Sequence, residues 1–265
     1  MNIHIKDIDL FEKLSISTII GIEVGSKMYG LEHENSDTDL LCIYATSDRE
    51  LNSFYMTHHQ LQYKELNKDY IFTNIHTFIR NCLTGDATIN FEVINSKKLI
   101  GTNLEFLYNS RFSFYNYKIL RSYLGLAKRD IKRIDIDGKT ELDKNKKIAH
   151  AYRGFITAKK IYDKKEIELT KEEISYIKEN IWSLNGFKER KEYSDKLMSD
   201  IENFRTIINS ELDNGKIVKF MKSNDQIKLQ SFIEELTSSE LYKNKKMSDF
   251  NMSLIYEINE TDVSY

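Results

Sequence analysis

Short apolar runs rich in β-branched residues mark the first part of the chain, and apolar positions at three- and four-residue intervals mark the rest. STIIGIEV at 17–24, TDLLCIYAT at 38–46 and DYIFTNI at 69–75 each predict a buried strand. A polar stretch at Ser47 to Asn52 follows the second of these. IHTFIRNCL at 75–83 places Ile75, Phe78, Ile79 and Cys82 at helical spacing, and TGD at 84–86 would end that helix. From residue 114 the period is helical. YNYKILRSYLGLAKRDIKRI, KNKKIAHAYRGFITAKKIYDKKEI, KEEISYIKENIWSL, SDKLMSDIENFRTIINSEL and IKLQSFIEEL read as successive helices, with DGK at 137–139 breaking the first from the second. The expected fold class is α+β. Its α/β N-terminal half is a small mixed β-sheet domain over residues 1–110, and a helical domain covers 111–265. The tail beyond Lys245 carries no clear pattern.

Composition narrows the class. With 265 residues, 40% hydrophobic and 30% charged, the chain has the balance of a globular protein with a sizeable core. No run reaches the roughly 18 apolar residues of a membrane helix. MNIHIKDIDLFEKL carries acids and lacks an apolar signal core, so no membrane association and a cytoplasmic location are expected. The cysteines, Cys42 and Cys82, give neither a disulfide framework nor zinc spacing. Cys42 reads as a small buried apolar side chain. A net charge of −2 argues against a uniformly positive surface, though one basic face could still hold phosphates.

The candidate chemistry lies in GSKMYGLEHENSDTDLL, residues 25–41. Gly25-Ser26 follows a strand directly, where bare backbone N–H groups and a hydroxyl can approach a polyphosphate. Asp37 and Asp39 alternate, so both project to one face of a strand. Carboxylates so close repel, a cost that a hard divalent cation, Mg²⁺ or Mn²⁺, offsets. A third acid suits two-metal transfer. Asp69, opening YIFTNI, fits that role if its strand pairs beside the one carrying Asp37 and Asp39. Glu65 competes from a more polar stretch, and Asp69 also reads as a plain strand-start aspartate.

Strand, Gly-Ser, ten residues, Asp-x-Asp, strand and distant acid together resemble the polymerase-β-like nucleotidyltransferase superfamily. VGSKMYGLEHENSDTDLLCIY is similar to the signature of its RNA-repair-associated members, with Tyr29-Gly30 and Ser36-Asp37-Thr38-Asp39 matching residue by residue. DYIFTNIHTFIRNCLTGDATINFEVI, with Glu92, resembles that family's acid–strand–helix segment, and SYLGLAKRDIKRI its basic helix. KKIAHAYR resembles its segment with Lys146, His150 and Arg153. The likeness covers residues ~18 to ~165. It departs at Lys27-Met28, where the family often has His or Arg, and in lacking Asn-Pro near Asp86-Ala87. It implies an NTP substrate, Mg²⁺ held by Asp37, Asp39 and Asp69, and nucleotide contacts from Gly25, Ser26, Lys27, Tyr29, His150 and Arg153. The implied acceptor is an RNA 3′-end, tRNA included. Transfer to a protein side chain or small molecule, or a non-catalytic nucleotide-binding or toxin-partner role, are the alternatives.

In the helical half, His150 and Arg153 share a helix face. They either reach a triphosphate or belong to an ordinary solvated surface. Lys128, Arg129, Lys132 and Arg133, interleaved with Tyr115, Tyr117 and Tyr123, read first as a solvated face and second as a phosphate track with stacking platforms. Trp182 reads as helical core.

Overall fold

The structure is a computed structural model that describes residues 3–4, 18–32, 36–44, 60–65, 68–86, 88–134 and 140–238. The polar stretch at Ser47 to Asn52, the DGK break and the tail beyond Lys245 lie outside the described residues. Strands β1 (Ile3–His4), β2 (Thr18–Val24), β3 (Thr38–Tyr44), β4 (Gln60–Glu65) and β5 (Lys68–Asn74) form one five-stranded sheet in the order β1-β4-β5-β3-β2. It is mixed: β3 runs parallel to β5 and β1 to β4, while β2–β3 and β4–β5 are antiparallel. The predicted strands beginning at 17, 38 and 69 are β2, β3 and β5. The alternation QLQYKE is β4, a strand absent from the sequence reading, which took the surroundings of Glu65 only as polar. Glu65 stands opposite Lys68, next to the strand link, not beside β3.

Helices follow in the order α1 (Ile75–Thr84), α2 (Thr88–Ile94), α3 (Glu105–Asn109), α4 (Tyr117–Lys132), α5 (Glu141–Tyr162), α6 (Lys171–Tyr176), α7 (Gly186–Asp213) and α8 (Ser223–Ser238). Asn74 ends β5 and caps α1 by accepting from the Thr77 N–H at 2.7 Å, so strand passes straight into helix. Ile75, Phe78, Ile79 and Cys82 are all buried, as their spacing predicts. Asn116 caps α4 in the same way, and Thr140 with Asp143 forms a capping box on α5. None of these helices is long and apolar enough to cross a membrane.

One face of the sheet packs on the helices. Val24, Leu41 and Ile43 join Phe78, Phe91, Ile119, Phe155, Ile201 and Leu229 in a single apolar cluster. That core is continuous across residue 110. The other face presents Cys42, Tyr44, Tyr70 and Phe72, also buried. Burial pushes the Cys42 thiol up to about 12, so it stays a neutral, small apolar group.

Helices α4 and α5 form an antiparallel pair in which Gly154 of α5 packs on Tyr123 and Ala127 of α4. A Cβ there would sit 3.4 Å from the Tyr123 carbonyl oxygen and 3.5 Å from the Ala127 Cβ. One extra carbon fits; a branched side chain does not. Gly154→Leu is therefore expected to cost about 1–3 kcal/mol by overpacking, while Gly154→Ala stays near neutral. Urea denaturation of the two variants checks this, and equal midpoints for both would remove Gly154 as the packing constraint.

Candidate active site

Strand β2 ends at Val24, which pairs with Asp39 of β3, and Asp39 in turn pairs with Asp69 of β5. Residues in register on neighbouring strands point to the same face. Asp39 and Asp69 thus stand side by side at one end of the sheet, in line with core residues Leu41 and Ile43. Asp37 lies just before β3 and is solvent-exposed.

Immediately after Val24 the backbone enters a left-handed conformation at Gly25, with φ of 72°, and continues as a 3₁₀ turn over Gly25–Tyr29. The residue is required twice. Its φ disfavours any side chain, and a Cβ would run into the Asp39 carboxylate. The Gly-Ser turn and the aspartate are therefore in direct apposition. Lys27 leaves the site: its Nζ donates to Thr38 Oγ1 at 2.5 Å and lies 3.8 Å from Glu23, bracing the turn against the start of β3.

These groups border a cleft of about 800 Å³. Gly25, Ser26, Tyr29, Ser36, Asp37 and Asp39 line one side. Lys146, His150 and Arg153 of α5 and Glu92 of α2 line the other. Of the nine residues assigned to the site from sequence, seven lie on this cleft; Asp69 is joined to it through its pairing with Asp39, and Lys27 faces elsewhere. Asp39 and Asp69 sit on the sheet, Asp37 just before β3, and Lys146 and Arg153 on α5.

Arg153 is anchored more firmly than its sequence position suggests. Its Nη1 is 2.7 Å from Glu92 Oε1, and its guanidinium carbon lies 3.7 Å above the Tyr29 ring. Glu92 is 4% exposed and accepts a further hydrogen bond, at 3.2 Å, from the Tyr123 hydroxyl. Burial, then the Glu92 carboxylate, hold the Tyr123 hydroxyl well above its usual pKa, so it remains a donor. This chain Tyr29–Arg153–Glu92–Tyr123 links the Gly-Ser turn, α5, α2 and α4. Sequence reasoning placed Glu92 in a helix but gave it no role. Its signal was a carboxylate inside the apolar run INFEVI, between residues that bury completely. Tyr123 and Tyr115 are core residues and cannot serve as stacking platforms. Trp182 packs against a small apolar cluster and borders the cleft.

His150 is solvent-exposed yet recessed within the cleft. Desolvation by the surrounding walls, reinforced by Arg153 and opposed by Asp130, lowers its pKa to about 4. The ring is neutral at pH 7. Among the described residues, no three His, Cys, Asp or Glu side chains stand close enough together to hold a metal ion.

The family described as RNA repair pathway DNA polymerase beta family matches residues 5–232 of the chain. No curated protein matches it.

Two outcomes follow from this geometry. Arg153→Leu leaves Glu92 buried without its cation and should cost about 3–5 kcal/mol in a denaturation midpoint, whereas Arg153→Leu with Glu92→Leu should recover much of the loss. A double variant no more stable than the single one would show that the pair is not a unit. A polyanion in the cleft would raise the His150 pKa from about 4. Binding of inorganic tripolyphosphate should then take up more protons between pH 7 and pH 5 in the unmodified chain than in His150→Gln. Calorimetry in buffers of different ionisation enthalpy reads that difference, the ligand's own titration being common to both proteins, and equal uptake in both would remove His150 from the phosphate site.

Proposed function

The chain belongs to the RNA repair pathway DNA polymerase beta family, and on that premise we propose that it is a nucleotidyltransferase moving an NMP from an NTP onto the hydroxyl of an RNA 3′-end, tRNA among the acceptors. The observation that carries this reading is Asp39, in register with Asp69 and beside the Gly25-Ser26 turn, facing Lys146 and Arg153 of α5 across the cleft. A triphosphate fits between such walls: donors and cations take its oxygens, and the acids stand at one end.

The donor set also suits Mg²⁺. This ion is usually held by one or two carboxylates together with substrate phosphates and water, not by a closed protein cage. Asp37, Asp39 and Asp69 would hold it, with substrate phosphates and water completing its ligands. When bound, divalent cations supply Lewis-acid polarisation of the α-phosphate and offset the charge of the departing pyrophosphate.

The chain's own residues do the rest. Ser26 and the backbone N–H groups of its turn donate to β- and γ-phosphate oxygens. Lys146 adds a point charge from α5. Arg153 gives Nη1 to Glu92 and retains its Nη2 donors for phosphate. Asp69 accepts the proton of the acceptor hydroxyl as its oxygen attacks the α-phosphorus. The bond to the β-phosphate oxygen breaks and pyrophosphate leaves. Tyr29, fixed beneath the Arg153 guanidinium, holds the Gly-Ser turn at the depth this chemistry needs.

Asp37→Asn and Asp39→Asn should abolish transfer with the melting temperature little changed, and Asp69→Ala should cost at least about two orders of magnitude in rate. The measurement is incorporation from each labelled NTP with Mg²⁺ and total RNA. Label on an RNA 3′-end supports the acceptor assigned here. Label on protein or a small molecule would replace that acceptor, and unaltered turnover in both asparagine variants would displace the acid site.

A further inference from the structure

A second groove, of about 490 Å³, runs between α4 and α7 and shares no lining residue with the cleft. Arg121, Lys128, Arg129, Lys132, Arg133 and Arg205 line it, and none of its lining residues is acidic. Some of this charge is already used: Lys128 and Arg205 pair with Glu202, and Arg129 with Asp130. Arg121, Lys132 and Arg133 are exposed and have no carboxylate within ion-pair distance among the described residues. In a chain with a net charge of −2, so many cations on one concave strip are a local exception that favours a polyanion.

The groove's floor adds an independent observation. Gly125 lies in the middle of α4, where glycine costs helix stability relative to alanine. A Cβ at Gly125 would meet nothing within 4 Å. Nothing in the fold requires its small size, in contrast to Gly154. The absent side chain leaves bare backbone between Arg121 and Arg129, at the point where a ligand lying along the groove would come closest.

The groove also leads towards the active site. Arg129 lies 3.3 Å from the buried Asp130, and Lys147 of α5 approaches the same carboxylate oxygen at 4.0 Å. Lys146, the next residue on α5, lines the cleft. Cations therefore continue from Arg121 along α4, about 16 Å to Lys132 at 1.5 Å per residue, and across Lys147 to Lys146. A phosphate-rich strand, not a single phosphate, matches that length. Tyr117, whose hydroxyl donates to Asn209 at 2.8 Å, is the aromatic residue left on this surface.

We infer that the α4–α7 groove binds the sugar-phosphate backbone of single-stranded RNA upstream of the 3′-end held in the cleft. The inference rests on the RNA-acceptor reading for its direction, but its test needs no turnover. Binding of a fluorescent single-stranded RNA of ~20 nucleotides to the full chain is measured without NTP across a range of salt. Arg121→Gln/Lys132→Gln/Arg133→Gln should weaken it at least tenfold at low salt. The slope of log K against log salt should shrink by about 2, at roughly 0.7 per lost phosphate contact. Gly125→Gln, which keeps the charge, should weaken binding with the slope retained, while its melting temperature rises. Inorganic tripolyphosphate and Mg·NTP should bind the triple variant as they bind the unmodified chain. RNA affinity and slope unchanged in the triple variant would overturn the inference, as would a loss confined to tripolyphosphate. RNA binding that responds as described without any labelled RNA product would leave the groove assignment standing and remove the acceptor reading instead.

Discussion

The parallel pairing of β3 with β5 governs the organisation of this protein. It sets Asp39 against Asp69 with no freedom to slip, because a shift of one residue would turn Leu41 and Ile43 out of the core. Two carboxylates are thereby fixed side by side by apolar burial further along the same strands. The antiparallel neighbour β2 must end where it does, at Val24, and the glycine that follows must leave room for the Asp39 carboxylate. The position of the Gly-Ser turn is thus a consequence of sheet register. The helical layer answers with opposite charge, presenting Lys146 and Arg153 across the cleft.

Much of the sheet and its acids could be read from the sequence, since β-branched runs and period-2 alternation are local signals. β2, β3, β5 and α1 fall where the pattern puts them, and the pairing that brings Asp69 beside Asp39 is the one its strand was expected to make. The family named from the Gly-Ser and Asp-x-Asp spacing is the one that matches most of the chain. The misses have separate causes. β4 alternates over most of its length, but polar residues occupy four of its six positions, and its place between β1 and β5 depends on pairing across the sheet. Lys27 sits in the motif, yet Thr38 and Glu23 draw its side chain outward. Tyr115 and Tyr123 carry hydroxyls that suggest a surface, while their rings complete the core around Phe91. For the tyrosines the deciding neighbours are remote in sequence; for Lys27 they lie within and just before the motif, on side chains whose direction the sequence pattern does not show.

Arg153 shows how one side chain can serve structure and site together. Its planar fork can hold Glu92 through one nitrogen while the ring of Tyr29 covers its face. A lysine would keep the charge and lose both the fork and the stacking. The buried carboxylate of Glu92 makes this arrangement compulsory, because an unpaired charge at that depth is costly. Electrostatics at the cleft is in this way set partly by the demands of the core beneath it.

The Glu92–Arg153 pair joins residues 61 positions apart, and this distance has a bearing on how the protein comes into being. The sheet, α1 and α2 emerge from synthesis well before α5, so the acids are in place while the cationic wall does not yet exist. Until α5 arrives, Glu92 has no cation and the Gly-Ser turn lacks the ring contact that braces it. Nascent chains stalled short of α5 would carry the carboxylates of the site without its opposing charge. Loop closure over that separation precedes the reward it brings. Because α5 supplies one of its walls, the cleft is complete only once that helix has been made.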